Sequence, residues 1–297
     1  MDDYSIIDVI RSRYSCRSFQ NKPISDQLKS ELLKYAEENN AGPFGTHSRF
    51  HLGQVTSGLA ILRRLNTYGF INGTDEFLVG VTTKCTDQLE LEEFGYVLEK
   101  IILKATALGL GTCWMGGTFR KSVFSNLIGL KENESLPAVI AIGYPAEKKR
   151  RTDRMIRKFA KSDHRRAWER LFFYESFDTP LKKEETGKFT TALEMLRLAP
   201  SASNKQPWNI VKSDNSWHFY LRRTHGYQDQ PILAKTGKAD LQRIDIGIAM
   251  SHFDMTLLES KIIGKWVIDN PKITLPDDLT EYKISWVPKN SLSNPNK

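Results

Sequence analysis

Ala199-Pro200-Ser201-Ala202-Ser203-Asn204-Lys205-Gln206-Pro207-Trp208 lies between a helical pattern that ends at Leu198 and a strand that starts near Trp208. Pro200 stops the helix because its ring fixes φ and removes the N–H, and Pro207 keeps a helix from resuming. Ser201, Ser203, Asn204 and Gln206 offer hydroxyl and amide groups of both senses within a few residues, and Trp208 sets a large apolar surface at the base of the loop. The same residue types also make plain helix-to-strand connections. What singles this loop out is what the rest of the chain sets beside it.

The 297 residues exceed the usual size of one domain, so one large core or two units of about 150 residues are expected. The start, Met1-Asp2-Asp3-Tyr4-Ser5, carries no basic segment followed by an apolar run, and no stretch reaches eighteen apolar residues; neither a secretion signal nor a spanning helix is expected. Cys16, Cys85 and Cys113 are odd in number and far apart, which argues against a disulfide framework or a zinc ribbon and fits a reducing cytoplasm. His47 and His51 stand four apart with no acidic companion between them, so no metal site is expected. The net charge of +8 is concentrated from Lys148 to Arg170, KKRRTDRMIRKFAKSDHRRAWER. Such a run is a solvated linker, a binding site for the phosphates of a nucleotide cofactor, or a patch for nucleic acid or anionic lipid. Nothing beside it resembles the stacking aromatics of an RNA-binding sheet.

Along the chain, Ile6 to Ile10 reads as a short helix. Ser25 to Asn39 reads as a second, with Leu28, Leu32, Leu33 and Ala36 at helical spacing and Ser25 as N-cap. Phe50 to Val55 and Phe77 to Val81 read as strands, and Glu93 to Leu108 as a helix apolar nearly all round and therefore buried. Pro137 to Ile142 is a further strand. Past the basic run the order recurs: a helix from Thr191 to Leu198, strands from Trp208 to Val211 and from Trp217 to Leu221, a helix from Ile244 to Glu259, and a strand from Lys265 to Ile268. A shift of 158 lays Ser18-Phe19 on Ser176-Phe177 and Phe50 on Trp208; a shift of 152 lays Glu93, Gly95 and Trp114 on Asp245, Gly247 and Trp266. The pattern reads as a tandem duplication of an α+β unit: residues 1–147, a basic linker 148–170, and residues 171–297 with a disordered tail from about 291.

The halves differ where chemistry would sit. Arg13, Ser15 and Arg17 alternate just after the first helix, so an extended segment points all three to one face, where two guanidiniums and a hydroxyl suit a phosphate. A solvated, charged helix end is the competing reading. The first shift puts these residues on Leu171, Phe173 and Glu175, and puts Ser201, Asn204 and Gln206 on Pro43, Thr46 and Ser48. Each half keeps what the other lacks, which suggests one site shared between them.

Four segments together resemble the nitroreductase family of FMN enzymes: Arg13-Tyr14-Ser15-Cys16-Arg17, Gly109-Leu110-Gly111-Thr112-Cys113-Trp114-Met115-Gly116-Gly117, Gly143-Tyr144-Pro145, and Pro200 to Trp208. More narrowly, the chain is similar to the branch in which two such units are fused, so that one chain forms an internal pseudo-dimer. The resemblance implies that Arg13, Tyr14, Ser15 and Arg17 hold the flavin phosphate with Lys149 or Arg150. It places Gly116 and Gly117 along the pyrimidine edge and N5, where a missing β-carbon lets the main chain come close. Pro200, Ser201, Ser203 and Asn204 would reach the ring and ribityl chain, Lys205 the charge that develops at N1 and O2, and Phe44 and His47 would line the open face. NADH or NADPH would be the hydride donor and a nitroaromatic, a quinone or a similar small molecule the acceptor. No catalytic acid or base is implied, and a cytoplasmic monomer without nucleic-acid or membrane partner is expected. Met115 stands where family members commonly carry an acidic residue, and Tyr14 where a second basic residue is common; both bear on substrate preference. Two other readings remain at this point: a flavin store or redox sensor without turnover, and a basic adaptor for nucleic acid or membranes.

Overall fold

The computed structural model describes residues 4–55, 71–84, 89–117, 119–147, 164–226 and 239–289. Helix α1 (Ile6–Ser12) starts at Ser5, whose hydroxyl accepts the Asp8 N–H. Helix α2 (Asp26–Glu38) starts at Ser25 in the same way, its hydroxyl accepting from Leu28. Strands β1 (Ser48–Gln54) and β2 (Glu76–Thr83), helix α3 (Glu90–Ala107), strand β3 (Gly111–Met115), helix α4 (Lys121–Ile128) and strand β4 (Glu134–Gly143) follow. The second part holds β5 (Phe172–Tyr174), β6 (Ser176–Pro180), α5 (Thr190–Arg197), β7 (Trp208–Ser213), β8 (Ser216–Arg222), α6 (Leu241–Glu259), β9 (Gly264–Val267) and β10 (Thr280–Pro288).

The strands form two sheets, ordered β1-β2-β4-β3 and β6-β5-β7-β8-β10-β9. Neighbours are antiparallel except β5 and β7, which run parallel. Trp114 on β3 pairs with Ile140 of β4, and Trp266 on β9 pairs with Trp286 of β10.

The two long helices hold the molecule together. Both are buried on most sides, and they cross where each carries a glycine. A β-carbon on Gly95 would stand 2.3 Å from the carbonyl oxygen of Ile244, and one on Gly247 would stand 1.8 Å from that of Glu92. The contact is reciprocal: each glycine meets the carbonyl three residues before the other. Backbone rides on backbone, which only a residue without a side chain permits. Beside the crossing, the Arg243 guanidinium forks onto Glu92 at 2.7–3.0 Å and reaches Glu90 at 3.3 Å. Burial raises the Glu92 carboxyl above its ordinary value, and the Arg243 and Lys283 charges oppose that rise.

Helix α4 and strands β3, β5, β6 and β10 go beyond what the sequence pattern suggests. Helix α4 is two turns long and ends on Gly129 in the left-handed conformation (φ 58°). Strand β10 mixes Glu281 and Lys283 into an apolar run, and β5 spans three residues. Short elements carry too few positions for a period to show.

Candidate active site

A cleft of about 360 Å³ opens beside the helix crossing. One wall is Ser15, Arg17, Trp114, Gly116, Gly117 and Ala138; the other is Pro200 to Ser203 with Leu241, Ile244, Asp245 and Ile248 from α6. Residues more than 180 positions apart in the chain therefore face each other across it. Cys16 N–H donates to the Thr112 carbonyl at 2.8 Å, and a β-bridge joins Ser15 to Thr112, so the edge of β3 fixes the 15–17 segment.

The two arginines part company. Arg17 lines the cleft and its guanidinium reaches back to the Ser15 carbonyl at 3.4 Å. Arg13, which ends α1, turns inward instead. Its side chain is 6% exposed and its Nε lies 3.8 Å from Glu99. Glu99 is buried completely; its Oε2 accepts the Trp114 indole N–H at 2.8 Å, and its Oε1 lies 3.0 Å from Nε2 of buried His252. His252 Nδ1 in turn donates to the Met195 carbonyl at 2.9 Å. This network pins Trp114, and with it the wall of the cleft, to α3, α5 and α6.

The decapeptide folds as a tight turn with three non-glycine residues in the left-handed region: Ser203 (φ 50°), Asn204 (φ 54°) and Gln206 (φ 49°). Such a conformation persists only where surrounding bonds hold it. Ser201 Oγ accepts the Gln206 N–H at 2.8 Å, Gln206 Oε1 accepts the Arg166 N–H at 2.9 Å, and Asn204 Nδ2 donates to the His164 carbonyl at 2.9 Å. On the α6 side Asp245 Oδ1 accepts the Ala202 N–H at 2.9 Å. Burial raises the Asp245 carboxyl well above its ordinary value; the Asp240 charge adds to the rise and the Ala202 N–H opposes it.

Of the residues singled out from sequence, Ser15, Arg17, Gly116, Gly117, Pro200, Ser201 and Ser203 converge on the cleft. Tyr14 packs into the apolar layer around Phe77 and Phe124, Asn204 turns to His164, and Lys205 is exposed at the turn. Phe44 is 38% exposed on the 40–47 loop, where its N–H and that of Thr46 are taken by Glu93. His47 lines a different cleft, of about 470 Å³, with Asn40 and Arg49. Lys149 and Arg150 lie outside the described residues, as does most of the basic run. The space a β-carbon would take at Gly116 is filled by the Leu241 side chain at 2.4 Å, so this glycine admits α6 to the site. Sequence reasoning did not single out Trp114, Leu241, Ile244, Asp245 or Ile248 as site residues. Asp245, a carboxylate in a helix otherwise apolar on most sides, was the one signal available.

A third cleft, about 380 Å³ between residues 185–189, Trp217 and Pro288, gathers none of the predicted residues. Among the described residues no cluster of ligating side chains could hold a metal ion, and no helix is long and apolar enough to cross a membrane.

The family model described as "Putative TM nitroreductase" matches residues 5–257. The chain belongs to this nitroreductase family. A solved structure described as a putative nitroreductase, from Thermotoga maritima, covers 97% of this chain and 95% of its own at 19% identity and a TM-score of 0.60, so the likeness in fold is not confined to one half of the chain. A protein of Archaeoglobus fulgidus described as "Putative NADH dehydrogenase/NAD(P)H nitroreductase" is 25% identical over 154 residues, 48% of this chain and 87% of that protein. A nitroreductase from Desulfovibrio desulfuricans, described as putative and solved in complex with FMN, covers 50% of this chain and 93% of its own at 22% identity, with a TM-score of 0.40.

Proposed function

We propose that the protein is an FMN-dependent oxidoreductase that takes hydride from NADH or NADPH and passes the electrons to a nitroaromatic, a quinone or a similar small acceptor, donor and acceptor using the same open face in turn. The observation that carries this reading is the convergence of Ser15 and Arg17 with Gly116, Gly117 and the Pro200–Ser203 turn on one cleft in a nitroreductase chain.

The residues suit the group. Arg17 and Ser15 present a cation and a hydroxyl to a phosphate. Trp114, Leu241, Ile244 and Ile248 give a planar ring an apolar bed, and Ser201 and Ser203 offer hydroxyls to a polyol chain. When bound, FMN supplies the hydride and electron chemistry that no side chain here can perform. The chain's part is to bind and orient it: Glu99 holds Trp114 in place, Gln206 and Asp245 hold the turn, and Arg17 balances the phosphate charge. Lys149 and Arg150, as the family resemblance implies, would add to that balance.

We also read the chain as two fused units, 1–147 and 171–297, joined by the basic linker 148–170 and acting as an internal pseudo-dimer. The reciprocal glycine contact supports this. So do the paired carboxylate bonds: Glu93 takes the Phe44 N–H as Asp245 takes that of Ala202. Gly45 and Ser203, 158 apart, both have positive φ. We also assign the protein to a reducing cytoplasm, in keeping with three cysteines that stand far apart in the sequence.

The test is the visible spectrum of the purified protein with the released chromophore identified by mass, followed by NADH and NADPH oxidation with an added quinone or nitroaromatic. Bound FMN and steady turnover are expected. A colourless protein that takes up no added FMN overturns the reading.

A further inference from the structure

Asp245 and Glu93 occupy matching places on the two long helices, yet their carboxyls end differently. Both oxygens of Glu93 are used by the loop below it, Oε1 by the Phe44 N–H and Oε2 by the Thr46 N–H at 3.1 Å. Asp245 is one methylene shorter. Its Oδ1 takes the Ala202 N–H, while the N–H that would match that of Thr46, Asn204's, is turned onto the Ser201 carbonyl at 2.9 Å. Oδ2 of Asp245 is therefore left buried with no hydrogen-bond partner, in a residue 3% exposed that lines the cleft. Buried polar atoms are almost always paired, so an orphan on a residue that lines a ligand cleft calls for a partner, and a bound ligand can supply one.

We propose that Asp245 binds the flavin directly, its Oδ2 hydroxyl donating a hydrogen bond to an acceptor atom of the bound cofactor. The proposal rests on the FMN reading of the cleft and adds a ligand to it. Oδ1 already accepts an N–H, so a proton on this carboxyl sits on Oδ2. Burial, reinforced by Asp240 at the start of the same helix, favours the protonated form. Arg243, two positions before it on α6, is paired with Glu90 and Glu92 at the helix crossing, and Arg17 lines the same cleft; the Pro200–Ser203 turn brings no charge. The consequence is a cofactor site that weakens when one carboxyl ionises, because a donor becomes an acceptor facing an acceptor.

The experiment is FMN binding by fluorescence quenching from pH 6 to pH 10, on the full chain, for wild type, Asp245→Asn and Asp245→Ala. Asparagine keeps an acceptor for the Ala202 N–H and an N–H donor for the flavin. Asp245→Asn is therefore expected within about threefold of wild type at neutral pH. Wild-type affinity is expected to fall about tenfold per pH unit once the carboxyl ionises, and that of Asp245→Asn to lack this fall. Titration of FMN itself is common to both proteins and cancels. Asp245→Ala, where it folds, is expected about tenfold weaker than wild type at neutral pH. Identical pH profiles for wild type and Asp245→Asn, or undiminished binding by Asp245→Ala, overturn the proposal. Failure of wild type to bind FMN at any pH overturns the flavin reading itself and the proposal with it.

Discussion

Arg13 and Arg17 stand four positions apart on a segment whose alternation points both to one face, and the fold gives them different partners. Arg17 meets the cleft, so Arg17→Ala is expected to weaken FMN binding by about 10- to 100-fold, the worth of a charge-assisted hydrogen bond to phosphate, with little change in the urea midpoint. Arg13 faces Glu99, and its removal leaves a buried carboxylate beside His252. Arg13→Ala is expected to cost about 3–5 kcal/mol of stability, read by urea unfolding, before any effect on the flavin is considered. A larger affinity loss in Arg13→Ala than in Arg17→Ala, at unchanged stability, would reverse this assignment. The alternation of Arg13, Ser15 and Arg17 was legible as a binding signal, but alternation assumes a straight strand. Arg13 is still the cap of α1, its N–H on the Val9 carbonyl, and so it points elsewhere. Phe44 and His47 show a related limit. The shift that lays Phe44 on Ala202 marks the corresponding loop of the other half, and that loop stands at its own carboxylate, Glu93. The orphaned oxygen of Asp245 depends on contacts made with a turn 43 residues earlier, and no local pattern carries it.

The elements depend on close fits of different hardness. Alanine in place of glycine in a helix interior ordinarily gains about 0.5–1 kcal/mol. At the crossing of α3 and α6 the sign inverts, because the new methyl would meet a carbonyl of the partner helix and only a shift of whole helices relieves it. Gly247→Ala is expected to destabilise by about 3 kcal/mol and Gly95→Ala in the same direction, measured by thermal unfolding. A neutral or stabilising result would show that the helices can part. The strong apolar pattern of both helices was readable in sequence; the crossing point was not, since a glycine contact leaves no period. A softer fit holds β1. The Arg49 guanidinium forks onto Glu134 at the start of β4, at 3.0 and 2.7 Å, and donates to the Ile128 carbonyl at the end of α4 at 2.8 Å. The hydrogen bonds from Arg49 hold the Glu134 carboxyl below its ordinary value of 4.5. The stability it contributes is present in full above about pH 4.5, where the unfolded glutamate is ionised, and is lost as pH falls through the lower folded value. Arg49 is partly exposed, so the pair is worth about 1–2 kcal/mol. Glu134→Gln is expected to lower the urea midpoint at pH 7 and to approach wild type as pH falls through the lowered folded value; a constant offset between the two at every pH would exclude the charge as its origin.

At the scale of the whole molecule the decisive property is asymmetry. If two equal units met through the glycine crossing, two equal clefts would flank it. Residues matching the first cleft under the two shifts include Phe173, Glu175, Trp266, Phe44, Glu92, Glu93 and Tyr96. There the guanidinium of Arg17 is replaced by a carboxylate, and the tiny Ala202 by a phenylalanine. The space over the helix is taken by Tyr96, whose hydroxyl donates to Asp254 at 2.5 Å, and by Glu92 under Arg243 and Lys283. A dianionic phosphate placed beside Glu175 and without Arg17 would be repelled where the other site attracts it. The expected stoichiometry is therefore one FMN per chain, from the ratio of flavin absorbance to protein, whatever the number of chains that associate. Because the cleft takes Arg17 from one half and Ser201, Ser203 and Asp245 from the other, residues 1–147 expressed alone are expected to bind no FMN even where they fold. Light scattering on the flavin-loaded chain is expected to give the mass of a monomer, since each wall of the cleft is already supplied within it. Two flavins per chain, or binding by residues 1–147 alone, would show that each half holds a complete site and would undo the shared one.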